Sequence, residues 1–175
     1  MGRPYILVAQ HAAAAAAAAF ESALSAGRTT ARGTVRYALP AHPGTDPQQM
    51  LTDATAVCDQ LLPSIIEPVQ QADAAVVFCA ACDLNGYIAT HNRIYSEPQR
   101  VGQRDWNMAN SRNRRVFDDR NGLLAARTTL PILIQSYQRD MGAGIRVMLK
   151  EFDAPIVVAG TRWGAMRVAV KIPAA

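Results

Sequence analysis

Two cysteines, Cys79 and Cys82, have the spacing of a redox pair or of half a zinc site. They lie in the apolar run from residue 74 to residue 82, which predicts a buried strand. Side chains three positions apart in a strand point to opposite faces of its sheet, so the two thiols should diverge. Only one further cysteine, Cys58, is present. We therefore expect both thiols to be buried as small apolar side chains.

The segment after this strand is expected to turn back as the first hairpin of the sheet, and it carries side chains that can bind a ligand. Asn85 and Gly86 favour a tight turn because both tolerate positive φ, and Tyr87 and His91 follow closely. Imidazole can ligate haem iron or a divalent metal, hydrogen-bond an acidic ligand, or only tie the chain to a backbone carbonyl. We predict Tyr87 and His91 as ligand-binding residues, with a haem or metal site at His91 as an alternative.

Residues 93–128 are unusually polar and rich in arginine and asparagine. Arginine offers a planar fork that matches carboxylate or phosphate, and asparagine adds paired donors and acceptors. A helix over 107–115 would place Asn107, Asn110 and Arg114 on one face. The predicted selectivity cluster is Trp106, Asn107, Asn110, Arg112, Arg114 and Arg115. Of these, Trp106, Asn107, Asn110 and Arg114 are predicted to bind the ligand, while Arg112 and Arg115 would be turned away from the helical face.

A structural role for these arginines is equally compatible with the sequence. Asp118, Asp119 and Asp140 are close enough in sequence to pair with them in a bracing network. The run from 130 to 139 reads as a strand in which Tyr137 and Arg139 share a face. One side chain of this row should reach a neighbouring pocket, so Tyr137 and Arg139 complete the predicted ligand-binding set.

The remaining elements supply the frame for these residues. An alanine-rich helix, or alternatively a low-complexity linker, is expected from about residue 5 to 26, ended by Gly27, and residues 28–46 read as an irregular crossing segment. A second helix is expected from Thr45 or Asp46 to residue 62, with a bend or restart at Pro63 and Pro68 and a short helix at 65–69. Further strands are expected at 145–158, with a possible bulge, and at 163–172. In the last strand the side chains of Ala165, Arg167, Ala169 and Lys171 should face one way.

Length and composition restrict the class of protein. The 175 residues fit one domain, with an N-terminal helix and linker at 1–42 and a main domain at 43–175. Eighteen basic and fourteen acidic residues give a mild net charge of +4, and no nucleic-acid-reading motif accompanies it, so nucleic acid is not expected as a partner. Without a recognisable signal peptide, and with every uninterrupted apolar run short, we expect a cytoplasmic protein that does not insert into a membrane.

Several segments together resemble a known family. They are GTDP (44–47), LLPSIIEP (61–68), VVFCAACDLNGYIATHN (76–92), WNMANSRNRRVFDDRNGLLAART (106–128), ILIQSYQRDMGAG (132–144) and APIVVAGTRWGAMRVAV (154–170). Their order and spacing are similar to those of the cytoplasmic sensory domain C-terminal to the signalling hairpin of bacterial methyl-accepting chemotaxis proteins. The resemblance covers roughly residues 43–172.

The resemblance implies a PAS/Cache-like α+β fold: an antiparallel sheet of about five strands, with N-terminal helices and a helical excursion at 93–128 covering one face. It also implies a dimeric context and a role in signal input without chemistry. No nucleophile elbow, phosphate loop or two-histidine metal motif is present, so an enzyme is not expected. The chain is thus predicted to bind a small molecule and to signal to chemotaxis or other partners by conformational change. The alternatives are a haem- or metal-based gas or redox sensor and a structural dimerisation module without ligand.

Overall fold

The computed structural model describes residues 3–29 and 42–172. The helices are α1 (Arg3–Ser25), α2 (Thr55–Leu61), α3 (Pro63–Gln71), α4 (Arg104–Asn110) and α5 (Arg120–Arg127), with a 3₁₀ turn at Arg93–Tyr95. The strands are β1 (Val76–Asp83), β2 (Tyr87–Ile88), β3 (Arg115–Val116), β4 (Leu133–Asp140), β5 (Arg146–Val158) and β6 (Thr161–Lys171). Most of the predicted crossing segment at 28–46 lies outside the described residues.

The centre of the fold is a four-stranded antiparallel sheet in the order β1-β6-β5-β4. The strands at 130–139, 145–158 and 163–172 are confirmed with small shifts of their ends, and β5 continues through Pro155 with a register shift after Ile156. The α+β class is likewise confirmed.

The expected hairpin between β1 and β2 is wrong. Tyr87 and Ile88 pair with Val116 and Arg115 in a separate two-stranded sheet instead of extending the main one. The carboxylate of Asp83 accepts hydrogen bonds from the backbone of residues 85 and 87, which turns the chain away from β1. The side chain of Asn92 then accepts a hydrogen bond from the backbone N–H of Cys79, so part of the free edge of β1 is satisfied without a fifth strand.

The helix expected from Thr45 or Asp46 is also wrong, because α2 begins only at Thr55. The hydroxyl of Thr45 donates to the carbonyl of His42 and accepts from the backbone N–H of Gln49, so it closes a turn rather than capping a helix. The predicted restart at Pro63 is confirmed, because α3 begins there, at a position where a missing N–H costs nothing. At Pro68 there is no second restart, since α3 continues through it to Gln71.

Helix α1 confirms the alanine-rich prediction and has a defined packing partner. It ends before Gly27, which adopts φ +65°, and it packs on β5 and β6. Phe20 stacks on Trp163 with ring centroids 4.8 Å apart, and the buried alanines of the same face allow close approach to the sheet. By length and composition Pro4–Ser25 could also cross a membrane, but a helix with one face on a core meets that criterion too.

The two faces of the sheet are covered by different parts of the chain. One carries α1, α2 and α3 over a large apolar cluster, and the other is covered by the excursion. Cys79 belongs to the first cluster and Cys82 to the second, so the predicted divergence of the thiols is confirmed. Burial raises the pKa of Cys82 to about 12 and that of Cys79 further. Both thiols are therefore protonated apolar fillers at neutral pH.

Candidate functional site

A cavity of about 240 Å³ lies between the sheet and the excursion. The sequence predicted a ligand-binding site at this face of the sheet. The sheet contributes Phe78 from β1, Tyr137, Gln138, Arg139 and Asp140 from β4, and Arg167 from β6. Ile88 of β2 and His91 also line it, and the excursion contributes Met108, Arg112, Arg115, Phe117, Asp119 and Asn121.

Arg139 is the most unusual group of this cavity. Alternation along β4 turns Arg139 inward, while its neighbours Gln138 and Asp140 remain exposed. The residue is only 3% exposed, and its guanidinium lies 4.4 Å from the ring centre of Tyr95 and 5.2 Å from that of Phe78. None of its three nitrogens has a hydrogen-bond partner among the described residues. Burial lowers the pKa of Arg139, while the phenols of Tyr95 and Tyr137 and the carboxylate of Glu151 act in the opposite direction.

Two further arginines add positive charge. The guanidinium groups of Arg112 and Arg115 lie 5.0 and 4.9 Å from the ring centre of Phe117. Arg112 donates to the carbonyl of Met108 at 2.9 Å, and Arg115 has one unpartnered nitrogen. Burial, together with repulsion from Arg104 and Arg139, lowers the pKa of Arg115 to about 10. Neither arginine forms an ion pair with a described carboxylate.

The bracing network considered from the sequence is not formed among the described residues. Asp119 instead accepts a hydrogen bond from the backbone N–H of Gly122 at 2.8 Å and thereby caps α5. Asp140 accepts one from Gly142 at 2.8 Å. These aspartates hold turns at the cavity rim, so the arginines at its centre keep an unmatched charge.

Beneath this cluster, Arg167 is compensated by buried carboxylates of β5. Its Nε donates to Glu151 at 2.8 Å and lies 3.8 Å from Asp153. Burial and the charge of Glu151 raise the pKa of Asp153 well above its usual value. The hydroxyl of Tyr137 also donates to Glu151. Glu151 is thus the anionic partner of Arg167, and the surroundings of Asp153 favour its protonated form.

His91 reaches the cavity as a neutral ring. It is 4% exposed and lies between Phe78 and Tyr95, with centroid distances of 5.4 and 5.1 Å. Its Nδ1 accepts a hydrogen bond from the backbone N–H of Asn92 at 2.8 Å, so Nε2 carries the proton. Burial, and then the charges of Arg139 and Arg112, lower its pKa well below the usual value. Ligation of iron or another metal through Nε2 would require the opposite tautomer, so this geometry suits a hydrogen-bond donor better.

The structure brings His91, Tyr137 and Arg139 together and places the other predicted residues outside this cavity. Tyr87 is buried under α2, where its hydroxyl hydrogen-bonds Thr55 and the carbonyl of Met50, and burial raises its pKa to about 12. Trp106 lies against Arg100, 3.6 Å from ring centre to guanidinium carbon.

The predicted common face of Asn107, Asn110 and Arg114 does not exist, because α4 ends at Asn110. Asn107 is tied to the backbone of Asp46 and Arg100. Asn110 donates to the carbonyl of Trp106, and Arg114 pairs with Asp59 at 3.1 Å.

Asn107 and Arg114 line a different and larger space. This cavity, of about 460 Å³, lies among residues 42–49, 96–102 and 107–114. Of the two arginines that line it, Arg114 is paired with Asp59, and Arg100 stacks on Trp106. We regard the smaller cavity as the better candidate because it holds a buried charge without a partner.

Sequence reasoning left Arg167 out of the predicted site. It did place Arg167 on one face of the last strand with Ala165 and Ala169, and the structure confirms that alternation. A charged residue in the middle of a buried apolar strand was the available signal. Within the described residues, no group of three or more His, Cys, Asp and Glu side chains is arranged to hold a metal ion.

The chain was compared with models of known protein families, with curated proteins and with solved structures, and none of them matches it.

Proposed function

We propose that this chain is a signal-input domain that binds a small molecule in the cavity between its sheet and the excursion. The observation that carries the proposal is the buried, unpartnered guanidinium of Arg139 inside that cavity. A fold tolerates such a group when a function requires it, because an uncompensated buried charge is destabilising. The architecture proposed is PAS/Cache-like, in line with the sequence resemblance and with the antiparallel order β1-β6-β5-β4.

Asn92 supplies a route from the cavity to the helices on the other face of the sheet. It follows His91, is fully buried, and donates to the carbonyl of Ile66 in α3 at 3.1 Å while accepting from Cys79 in β1. The backbone N–H of Arg93 donates to Glu67 of the same helix at 2.7 Å. A ligand that moved His91 would therefore bias the position of α3. Signalling requires only that the ligand prefer one of two such arrangements.

The same proposal places the chain in the cytoplasm as a homodimer that signals to chemotaxis or related proteins, without catalysis. The resemblance supports these points. The gas- or redox-sensor alternative has less support, since Nδ1 of His91 is engaged as an acceptor and the cysteines are buried.

A thermal-shift screen against organic acids, amino acids and purines tests the proposal. Saturating binding should raise the melting temperature, because ligand at 100 times its Kd stabilises by about 2.7 kcal/mol. Met108→Trp should fill the cavity from α4 and abolish the shift. Met148→Trp, at a position exposed to solvent and outside the cavity, is the matched control and should keep it. Equal shifts in both variants would place binding elsewhere and contradict the proposal.

A further inference from the structure

The charge pattern of the cavity restricts its ligand. A guanidinium has five N–H donors, and Arg139 leaves all its nitrogens without an acceptor while being nearly excluded from water. A buried cation in this state is stabilised most by an anion that also accepts its hydrogen bonds. Arg112 and Arg115 line the same space, and neither is neutralised by a described carboxylate.

The surroundings favour a singly charged head group over phosphate. Asp119 and Asp140 also line the cavity, and their charges would repel a dianion more strongly than a monoanion. The backbone amide of Gly122 at the start of α5 is occupied by the Asp119 side chain, so it is not free to receive a phosphate oxygen. Phe78, Ile88 and Phe117 give the cavity apolar walls.

We infer that the cavity binds a small carboxylate, with Arg139 as the fork that holds the carboxylate group. This inference rests on the proposed function and specifies its ligand class. The planar guanidinium matches both oxygens of a carboxylate, and the apolar walls contact the rest of the molecule. Nε2–H of His91 is a neutral donor in the same space. The volume of about 240 Å³ lies below the roughly 300–1,000 Å³ of sites for drug-sized ligands, so the acid is short.

Matched acids and amides test this inference. After dialysis into chloride buffer, the protein is titrated with acetate, succinate or benzoate, and with acetamide, succinamide or benzamide, at constant ionic strength. Melting temperature and calorimetry are the readouts. At least one acid should raise the melting temperature and bind at least tenfold more tightly than its amide, because only the acid supplies the anion. Inorganic phosphate is included as the competing head group.

Arg139→Met distinguishes a ligand-binding role from a purely structural one. This variant should lose at least tenfold in affinity for the acid, and without ligand it should melt at a higher temperature than the wild type, since the unpartnered buried charge is gone. A bracing arginine would give the opposite change in melting temperature. Arg146→Met, at an exposed arginine at the start of β5, is the control and should leave both quantities unchanged.

The outcomes separate this inference from the proposed function. If an amide or another neutral compound binds the wild type but not Met108→Trp, the carboxylate assignment is overturned while the proposed function stands. Stronger binding of phosphate than of every acid also overturns it, as does a lower melting temperature of unliganded Arg139→Met. If neither acids, amides nor phosphate bind, the inference fails, and the proposed function fails as well only if no compound of the thermal-shift screen binds.

Discussion

At the scale of single residues, the Glu151–Arg167 pair shows how this fold tolerates a buried charge. Arg167 is 5% exposed and Glu151 is fully buried, so neither charge is solvated by bulk water. Glu151 also accepts a hydrogen bond from the hydroxyl of Tyr137, which satisfies part of its remaining hydrogen-bonding capacity. The contrast with unpartnered Arg139, in the same space, is what identifies the latter as a candidate for function.

Neutralising Glu151 should therefore be costly. Because Asp153 lies 3.8 Å from Arg167 and could replace the lost charge, the test uses an Asp153→Asn background. In that background Glu151→Gln leaves Arg167 without a nearby anion and should lower the free energy of unfolding by about 3–5 kcal/mol, measured by urea denaturation. Adding Arg167→Met should recover part of that loss. Glu97→Gln, at an exposed glutamate, should change stability by less than about 0.5 kcal/mol. A variant with the added Arg167→Met that is as unstable as the one without it would contradict this explanation.

His91 should make stability depend on pH. Its pKa in the folded state is lowered, so below about pH 6.5 the unfolded chain binds a proton that the folded chain does not. Stability should consequently fall as the pH drops from 7 to 5, by at most about 1.4 kcal/mol per pH unit from this residue. The raised pKa of Asp153 acts with the opposite sign, since its contribution is lost as pH rises.

The comparison of wild type with His91→Gln isolates the histidine, because Asp153 is common to both. Urea denaturation at pH 5, 6, 7 and 8 should show a shallower pH dependence in the variant between pH 5 and 6.5. Parallel curves would mean that His91 is protonated in the folded protein.

At the scale of elements, the excursion is held by local caps and turns more than by a large core of its own. Helix α5 is short, and its first turn depends on the hydrogen bond from Gly122 to Asp119. Gly122 itself is required there, because a Cβ at this position would lie 2.0 Å from the carbonyl oxygen of Phe117. The same aspartate lines the cavity, so the cap and the site are physically coupled.

Loss of this cap should be measurable. Asp119→Ala should reduce the free energy of unfolding by about 1 kcal/mol, the usual contribution of an N-cap side chain. Asp118→Ala is the adjacent control: that side chain is exposed and forms no hydrogen bond to the described residues, so a change below about 0.5 kcal/mol is expected. Thermal or urea unfolding of the two variants gives the comparison, and equal losses would exclude a capping role.

At the scale of the whole molecule, one sheet separates the cavity from a layer of helices. The cavity lies on one face, and α1, α2 and α3 cover the other. The alanine-rich sequence of α1 allows its backbone to approach β5 and β6 closely, with Phe20 as the large anchor against Trp163. If the cavity binds a ligand as proposed, this layered arrangement would connect it with the helices on the other face through the single intervening sheet.

The close helix–sheet approach predicts a strong positional effect within the alanine run. Ala16 is fully buried, so Ala16→Leu should force α1 off the sheet and cost about 1–3 kcal/mol. Ala15 is exposed on the same helix, and Ala15→Leu should stay within about 0.5 kcal/mol of the wild type. Denaturant unfolding of both variants is the measurement. Similar costs at the two positions would indicate that α1 does not pack as described.

The sequence by itself determined what depends on strand periodicity. It gave the opposite faces of Cys79 and Cys82, the inward row of Tyr137 and Arg139, and the alternation of the last strand, and all of these hold in the structure. It also located the restart of the helix at Pro63. These features were predictable because a strand repeats every two residues and proline has a fixed effect on a helix.

The tertiary structure alone decided which side chains of the excursion enter the cavity. Arg114 adopts φ 60°, and its backbone N–H donates to Ile88, while that of Arg112 donates to Tyr95. These long-range bonds end any helical periodicity after Asn110 and direct Arg112 and Arg115, rather than Arg114, toward β4. An irregular segment has no period from which facing directions can be read. Its orientation is set by partners that are distant in sequence. Only the folded chain therefore shows which of its arginines face the cavity.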